Sequence, residues 1–294
     1  MPKPKPKPKS EPLNYELEFA MHDSIHCLTP GLFRSVKNGD RKKTKLDVSY
    51  PFSDGGHIEF SGPEPLGDDD LRVLQGLIAM AGPKGDRLPE FPHTLDGMTV
   101  RQMLDLKWGA TSRDGMVIKG SYRNLAKEIG YADVENTKPI QDSVERMWKV
   151  SVIVDKDGER MGFRLLSEYG SSDTKGQLYV ALNPQLTAAI VGDVRHTRIS
   201  MDEVRAIKLS GTRLVHQRLC GWIDQGKTKK ISIDTLCSYI NPDHVKLDAK
   251  GGDGAMRQRR SRAKPVLEEM RGLGWGVVEI AKGQFEITRP KGKG

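Results

Sequence analysis

The sequence predicts an α+β fold: two tandem winged helix-turn-helix domains behind an extended, disordered N-terminal tail. Two observations lead there. A unit of short strand, short helix, longer helix and two strands joined by a tight polar turn occurs twice, over Lys119–Glu168 and Lys230–Arg289. Ser121, Tyr122, Leu125, Ala126 and Ile129 of the first short helix recur 111 positions later as Ser232, Ile233, Leu236, Cys237 and Ile240. The longer helices match at a shift of 123, with Ile140, Val144, Met147 and Val150 answered by Ala263, Leu267, Met270 and Leu273. The larger shift is a longer loop in the second copy. The other observation is charge. Residues 195–294 hold 21 Lys and Arg against 11 Asp and Glu, whereas residues 1–194 hold 26 against 28, so the net +8 belongs to the second copy. Polyanion binding is expected there.

The elements follow in order. Residues 1–12 alternate Lys and Pro, which favours extended polyproline chain with lysines in water; this stretch is either a plain tail or a weak phosphate-binding arm. We place the tail at 1–20, a first domain at 21–192 and a second at 193–294. Thr29-Pro30 reads as the cap and first residue of a short helix carrying Leu32, Phe33 and Val36. Leu46, Val48 and Tyr50 alternate, as do Ile58 and Phe60, around Asp54-Gly55-Gly56, which is a hairpin pattern. Asp68 or Asp69 opens a helix to Ala81 that buries Leu71, Leu74, Leu77 and Ile78. A Gly- and Pro-rich loop over 82–97 precedes a helix with Val100, Met103, Leu104 and Trp108.

The first unit's helices begin at Ser121 and near Thr137-Lys138-Pro139, and its hairpin strands are 151–155 and 160–168. A strand over 177–182 and a helix from Asn183-Pro184 close that domain, with Gly192-Asp193 as the boundary. Ser200-Met201-Asp202-Glu203 has the spacing of a reciprocal capping box. A long helix with Leu214, Val215, Leu219 and Trp222 leads into the second unit, whose two helices are separated by a Gly251-Gly252-Asp253-Gly254 loop.

Composition excludes several classes. At 294 residues the chain is long enough for two cores, and no apolar run approaches the roughly 18 residues of a membrane span. No apolar segment follows the basic N-terminus, so we expect no secretory signal, no membrane partner and a bacterial cytoplasmic location. Cys27, Cys220 and Cys237 have no metal-type spacing. His22, Asp23, His26 and Cys27 cluster without a downstream partner pair and are expected to pack rather than to bind metal. No catalytic triad or carboxylate pair stands out, so catalytic residues, cofactor and metal are all expected to be none.

The strongest chemical signal is Met256–Lys264. On a helix, Met256, Ala263, Leu267 and Met270 share one side, and Arg257, Gln258 and Ser261 fall opposite, flanked by Arg262 and Lys264. Arg259 and Arg260 lie nearer the buried edge and would reach sideways to phosphates. Arg can bond guanine bidentately and Gln can do so to adenine, and a recognition helix presents its N-terminal half to the bases. Those charges oppose the helix dipole, so an anionic partner must offset them. Lys229, Lys230, Lys282 and Ser232 are placed to add contacts. Pro265 is expected to kink or loosen the turn around Ser261. In the first unit, Lys138, Gln141, Asp142, Glu145 and Arg146 are expected on the exposed face of the longer helix. Mixed signs suit either phosphate contact through Ser121, Arg123 and Lys138 or protein contact, and both readings stay open. Gly221–Thr228 has P-loop spacing, but a helix precedes it and Asp224 would repel a nucleotide; Gly226 is expected to end that helix.

Long strings, among them CLTPGLFRSVKNGDRKKTKLDVSY, IEFSGPEPLGDDDLRVLQGLIAMAGP, VIKGSYRNLAKEIG, HQRLCGWIDQGKT and WGVVEIAKGQFEITRPK, resemble the replication initiator (C protein) of IncQ-type broad-host-range plasmids. The resemblance runs from about His22 to Lys291 and omits the tail. It implies a protein that binds directly repeated sequences, called iterons, on the double-stranded plasmid origin and helps open adjacent A·T-rich DNA. It also implies a plasmid-encoded helicase and primase as partners, a C-terminal winged helix as the main reader, and no catalytic residues. Self-association through the first domain is a further expectation. The alternatives are a dimeric winged-helix repressor, which palindromic sites would favour, and an ATP-dependent helicase or loader using Gly221–Thr228.

Overall fold

The structure is a computed structural model that describes residues 15–36, 39–52, 55–84, 86–88, 115–172, 176–242 and 244–292. The Lys-Pro repeat and the helix expected around Val100–Trp108 lie outside the described residues. In order, the elements are β1 (Phe19–Asp23), α1 (Ser24–Leu28), β2 (Leu46–Pro51), β3 (His57–Gly62), α2 (Asp68–Lys84), β4 (Asp86–Leu88), β5 (Gly115–Ser121), α3 (Tyr122–Glu128), α4 (Lys138–Trp148), β6 (Ser151–Lys156), β7 (Glu159–Arg164), β8 (Leu166–Ser172), β9 (Gln177–Leu182), α5 (Pro184–Val191), β10 (His196–Ser200), α6 (Met201–Ala206), α7 (Ser210–Trp222), β11 (Thr228–Ser232), α8 (Ile233–Ile240), α9 (His244–Gly272), β12 (Gly276–Ala281) and β13 (Gln284–Thr288). The fold is mixed α and β.

Among the described residues, four antiparallel sheets result, with orders β1-β10, β2-β3-β6-β7, β4-β5-β9-β8 and β11-β13-β12. The two repeated units share element order but not sheet partners. In the second, β11 lies against β13 of its own hairpin. In the first, β5 pairs with β9, and the hairpin β6–β7 instead extends the β2–β3 hairpin through β3. The accessory strands supply pairing partners that the second unit lacks, so they split the first unit between two sheets. The second hairpin strand expected over 160–168 is accordingly broken into β7 and β8 at Leu165.

The central element is α2. Leu71, Leu74 and Leu77 are fully buried, and so are Val73, Ala79 and Ala81 on its other faces. Burying a leucine contributes about 1.5–3 kcal/mol, so this helix anchors both halves of the chain. Gly76 lets it approach α3: a Cβ there would sit 2.3 Å from Ile129 Cγ2 and 2.7 Å from Leu125 Cδ1.

Several expectations are corrected. Residues 15–20, assigned to the tail, are packed. Leu17 is buried, the buried Glu128 carboxylate accepts the Leu17 N–H at 3.0 Å, and Ala20 lies within β1. Thr29-Pro30 does not open a helix. Asp23 caps α1 upstream by accepting the His26 N–H at 2.9 Å, and Thr29 is the C-cap, followed by Gly31 at φ 80°. Ser200 caps α6, accepting the Glu203 N–H at 3.5 Å, but Glu203 does not reach back; its carboxylate turns inward to His216. The Gly251–Gly254 stretch is helical, because α9 begins at His244 and runs through it. Helix α7 ends at Trp222, and Gly226, at φ 74°, makes the turn into β11 rather than ending the helix.

The assigned boundary at Gly192 is the left-handed C-cap of α5. Contacts cross it throughout. Strand β1 pairs with β10, Ser24 Oγ lies 3.0 Å from Thr197 Oγ1, and Arg213 pairs with Asp68 at 2.9 Å. Gln75 donates to Gln217 at 2.5 Å, and one hydrophobic cluster runs from Leu17 to Ile287.

Candidate nucleic-acid interface

Ser232 ends β11 in extended conformation and accepts the Thr235 N–H at 3.0 Å, which starts α8. Ser121 does the same for α3, accepting the Asn124 N–H at 3.1 Å. Both serines therefore spend their oxygens on helix caps.

Helix α9 turns Ala263, Val266, Leu267 and Met270 into the core. The 3.6-residue period then leaves Arg257, Gln258, Arg260, Ser261, Arg262 and Lys264 exposed, with Arg259 and Met256 half-buried. Arg260 is not free to reach phosphate. Its guanidinium forks onto Asp234 of α8, with both bonds at 2.7 Å, and these bonds hold the Asp234 carboxyl below its ordinary range. The pair ties the first helix of the unit to the second. Among the described residues, Arg257, Arg262 and Lys264 make no ion pair.

The hairpin turn carries Lys282 beside Gly283, whose φ of 72° forms the bend. The Gly283 carbonyl accepts the Ile233 N–H at 2.9 Å, so Lys282 is held near the start of α8. On β11, Lys229 stacks its ammonium over Trp222 at 4.8 Å, and Lys230 faces Glu286 at 3.6 Å across the sheet. Lys229, Lys230 and Lys282 are all exposed.

The first unit is built differently. Lys138 pairs with Asp142 at 2.7 Å, Lys149 with Glu145 at 2.6 Å, and Arg123 with Glu135. Arg146, expected on the exposed face, instead turns inward to the buried Asp70 with bonds of 3.0 and 2.7 Å. Asp70 also takes Arg41 at 2.8 Å and the Gly67 N–H at 2.7 Å. Each of these cations has an acidic neighbour, so α4 shows no unbalanced positive face.

Sequence reasoning missed a polar centre joining α6, α7 and the start of β12. His216, buried on α7, lies 2.5 Å from Glu203 and 3.5 Å from Cys220 Sγ, and Trp275 Nε1 donates to Glu203 at 3.3 Å. Among the described residues, these are the three His, Cys, Asp or Glu side chains whose ligand atoms converge, all within 4.8 Å. Burial alone would lower the His216 imidazolium, but the Cys220 sulfur and the Glu203 carboxylate push it up to about 10. The His-to-Cys step of four residues on one helix was the available signal; Glu203 had already been assigned to a cap. At the N-terminal cluster, Asp23 Oδ1 takes His26 Nδ1 at 2.7 Å, and burial lowers His22 to about 4. The P-loop-like stretch runs from helix to strand, the reverse of the order that cradles phosphate.

Residues 14–291 match the model of the family Replication protein C (RepC). No curated protein matches the chain. Among solved structures, the crystal structure of selenomethionine derivatives of domains 2 and 3 of RctB is similar, with a TM-score of 0.52 at 11% identity, over 90% of this chain and 97% of that one. At that identity the likeness concerns the fold.

Proposed function

The chain belongs to the replication protein C family and is a replication initiator, and from that premise we propose that it binds directly repeated origin sequences through a C-terminal winged helix. The observation that carries this reading is the outer face of α9. Among the described residues, Arg257, Arg262 and Lys264 stand without acidic partners beside Gln258 and Ser261, on a helix whose opposite face is packed into the core. Such a face has uncompensated charge for phosphate and forked donors for base edges. The second unit's hairpin places Lys282 as a flanking contact, and Lys229 and Lys230 extend the basic surface. Arg260 positions α9 through Asp234.

In this reading the first unit is a second winged helix with lesser DNA contact, through Arg123, Lys138 and the backbone near Ser121, and its balanced charge also suits protein contact. One monomer spans one repeat, because the two units differ in charge and so read in one orientation. Bound copies on a repeat array open neighbouring DNA by deformation; bending alone costs on the order of 1–6 kcal/mol, which binding can offset. The protein acts by binding, without nucleotide turnover, cofactor or metal. The IncQ-type resemblance extends the reading to a plasmid-encoded helicase and primase as partners, self-association through the first half, and a bacterial cytoplasmic setting. Among the described residues, no helix is long and apolar enough to cross a membrane.

The test is a footprint of full-length protein on its plasmid origin with Arg257→Ala alongside. The substitution should cost roughly 1–3 kcal/mol on cognate repeats and less on random duplex. Equal loss on both would reduce Arg257 to a phosphate contact. Protection of palindromes by a two-protein complex would replace this reading with the dimeric repressor. ATP hydrolysis abolished by Lys227→Ala would replace it with the helicase or loader.

A further inference from the structure

Behind the turn between α8 and α9 lies a cavity of about 260 Å³. Its walls come from both halves of the chain: the segment after α1 and Leu71 on one side, α7, α8 and Pro242 on the other. The halves touch closely here. A Cβ on Gly31 would lie 2.9 Å from Pro242 Cγ, and the Ser35 N–H donates to the Ile240 carbonyl at 2.9 Å.

Two nitrogen atoms set the chemistry. His26 lines the cavity, and its Nε2 is buried without a hydrogen-bond partner. Its Nδ1 is already engaged by Asp23 at 2.7 Å, so Asp23 fixes the ring. Arg218 also lines the cavity, and its Nη1 is likewise buried and unpartnered. Among the described residues, the guanidinium has the Tyr239 ring at 5.1 Å and no carboxylate, and no acidic residue lines the cavity. A largely buried cation without a counter-charge is destabilising, and an unmet donor adds its desolvation cost. A water could accept from Arg218 Nη1, but it brings no charge to the guanidinium. The remaining walls are apolar, with Phe33, Leu71, Leu214 and Pro242 among them.

We propose that this cavity binds a small organic carboxylate with an apolar body. The carboxylate takes the Arg218 guanidinium, and the body lies among the apolar walls. The volume falls below the roughly 300–1,000 Å³ of drug-sized sites, which limits the ligand to one small ring or its aliphatic equivalent. Because both halves line the cavity, an occupant holds them together.

The probe is sodium benzoate, titrated calorimetrically into full-length protein at constant ionic strength. Benzyl alcohol serves as the neutral counterpart and inorganic phosphate as the anion without an apolar body. One benzoate should bind per chain and raise the melting temperature. Benzyl alcohol and phosphate should each bind at least tenfold more weakly. Arg218→Met should weaken benzoate at least tenfold, and Arg218→Lys should weaken it less, with circular dichroism confirming both folds. Absence of benzoate binding, or equal binding of benzyl alcohol or phosphate, overturns the proposal on wild-type protein alone, whatever the variants do. Unchanged affinity in a folded Arg218→Met protein overturns it as well.

Discussion

His216 and His22 are both buried, yet their surroundings drive them in opposite directions. His216 lies against Cys220 and Glu203 and is raised to about 10, whereas His22, lowered mainly by burial and by neighbouring His26, falls to about 4. The two therefore bound stability from opposite sides. The raised group contributes stability that is fully present below the unfolded value of 6.5 and is lost as pH rises towards about 10. The depressed group contributes above 6.5 and its contribution is lost as pH falls towards about 4. Melting temperature measured across this range should decline on both flanks. His216→Gln should flatten the alkaline decline and leave the acid one, and His22→Gln should do the reverse. An alkaline flank unaltered by His216→Gln would show that another group governs it. Residue identity alone could not assign these roles. His216 and Glu203 are 13 positions apart on different helices, and only the turn between α6 and α7 brings them together. The capping serines were legible as residues, but their oxygens proved to be occupied by their own helices.

Among the elements, α9 shows most clearly how far local pattern reaches. Its apolar spacing over Ala263–Met270 and its basic outer face follow from a 3.6-residue period and were readable in advance. Its length was not. Glycines at 251, 252 and 254 each cost a helix about 1 kcal/mol relative to alanine, which argued for a loop, but good helix formers on both sides carry it through. Pro265 also stands inside the helix and leaves the Ser261 carbonyl without its usual donor. Pro265→Ala should restore that bond and raise stability by up to about 3 kcal/mol in denaturant unfolding. No gain would mean that the helix has already adapted around the ring. The Arg260–Asp234 fork leads to another expectation. Asp234→Ala removes an acid from the basic surface and releases Arg260, so affinity for random duplex at low salt should rise. If α9 needs the fork for its angle, discrimination between repeat and random sequence should fall in the same gel-shift series. Unchanged discrimination would limit Arg260 to a surface pair, which is usually of little consequence.

At the scale of the whole molecule, the charge asymmetry and the two repeated units were legible, because each is a local property of the string. The joining of the halves was not. Strand β1 reads as an unremarkable five-residue segment, and nothing near it names β10 as its partner. The same holds for the Arg213–Asp68 and Gln75–Gln217 contacts, which depend on α2 meeting α7. With one hydrophobic cluster spanning Leu17 to Ile287, calorimetry should record a single cooperative transition, and two separated transitions would show that the halves melt independently. Leu74→Ala, at the centre of α2, should lower stability by about 2–5 kcal/mol without splitting that transition. The pairing of β1 with β10 also has a consequence for synthesis. Phe19 faces Ser200 across that sheet, 181 residues later in the chain. At about 5–20 residues per second, a ribosome needs on the order of 10–35 s to supply the second strand after the first. Until then the opening strand waits with a bare edge and must be kept from wrong neighbours. A message interrupted before the codons of β10 yields a polypeptide that cannot close this sheet, so such fragments do not join the pool of working initiator.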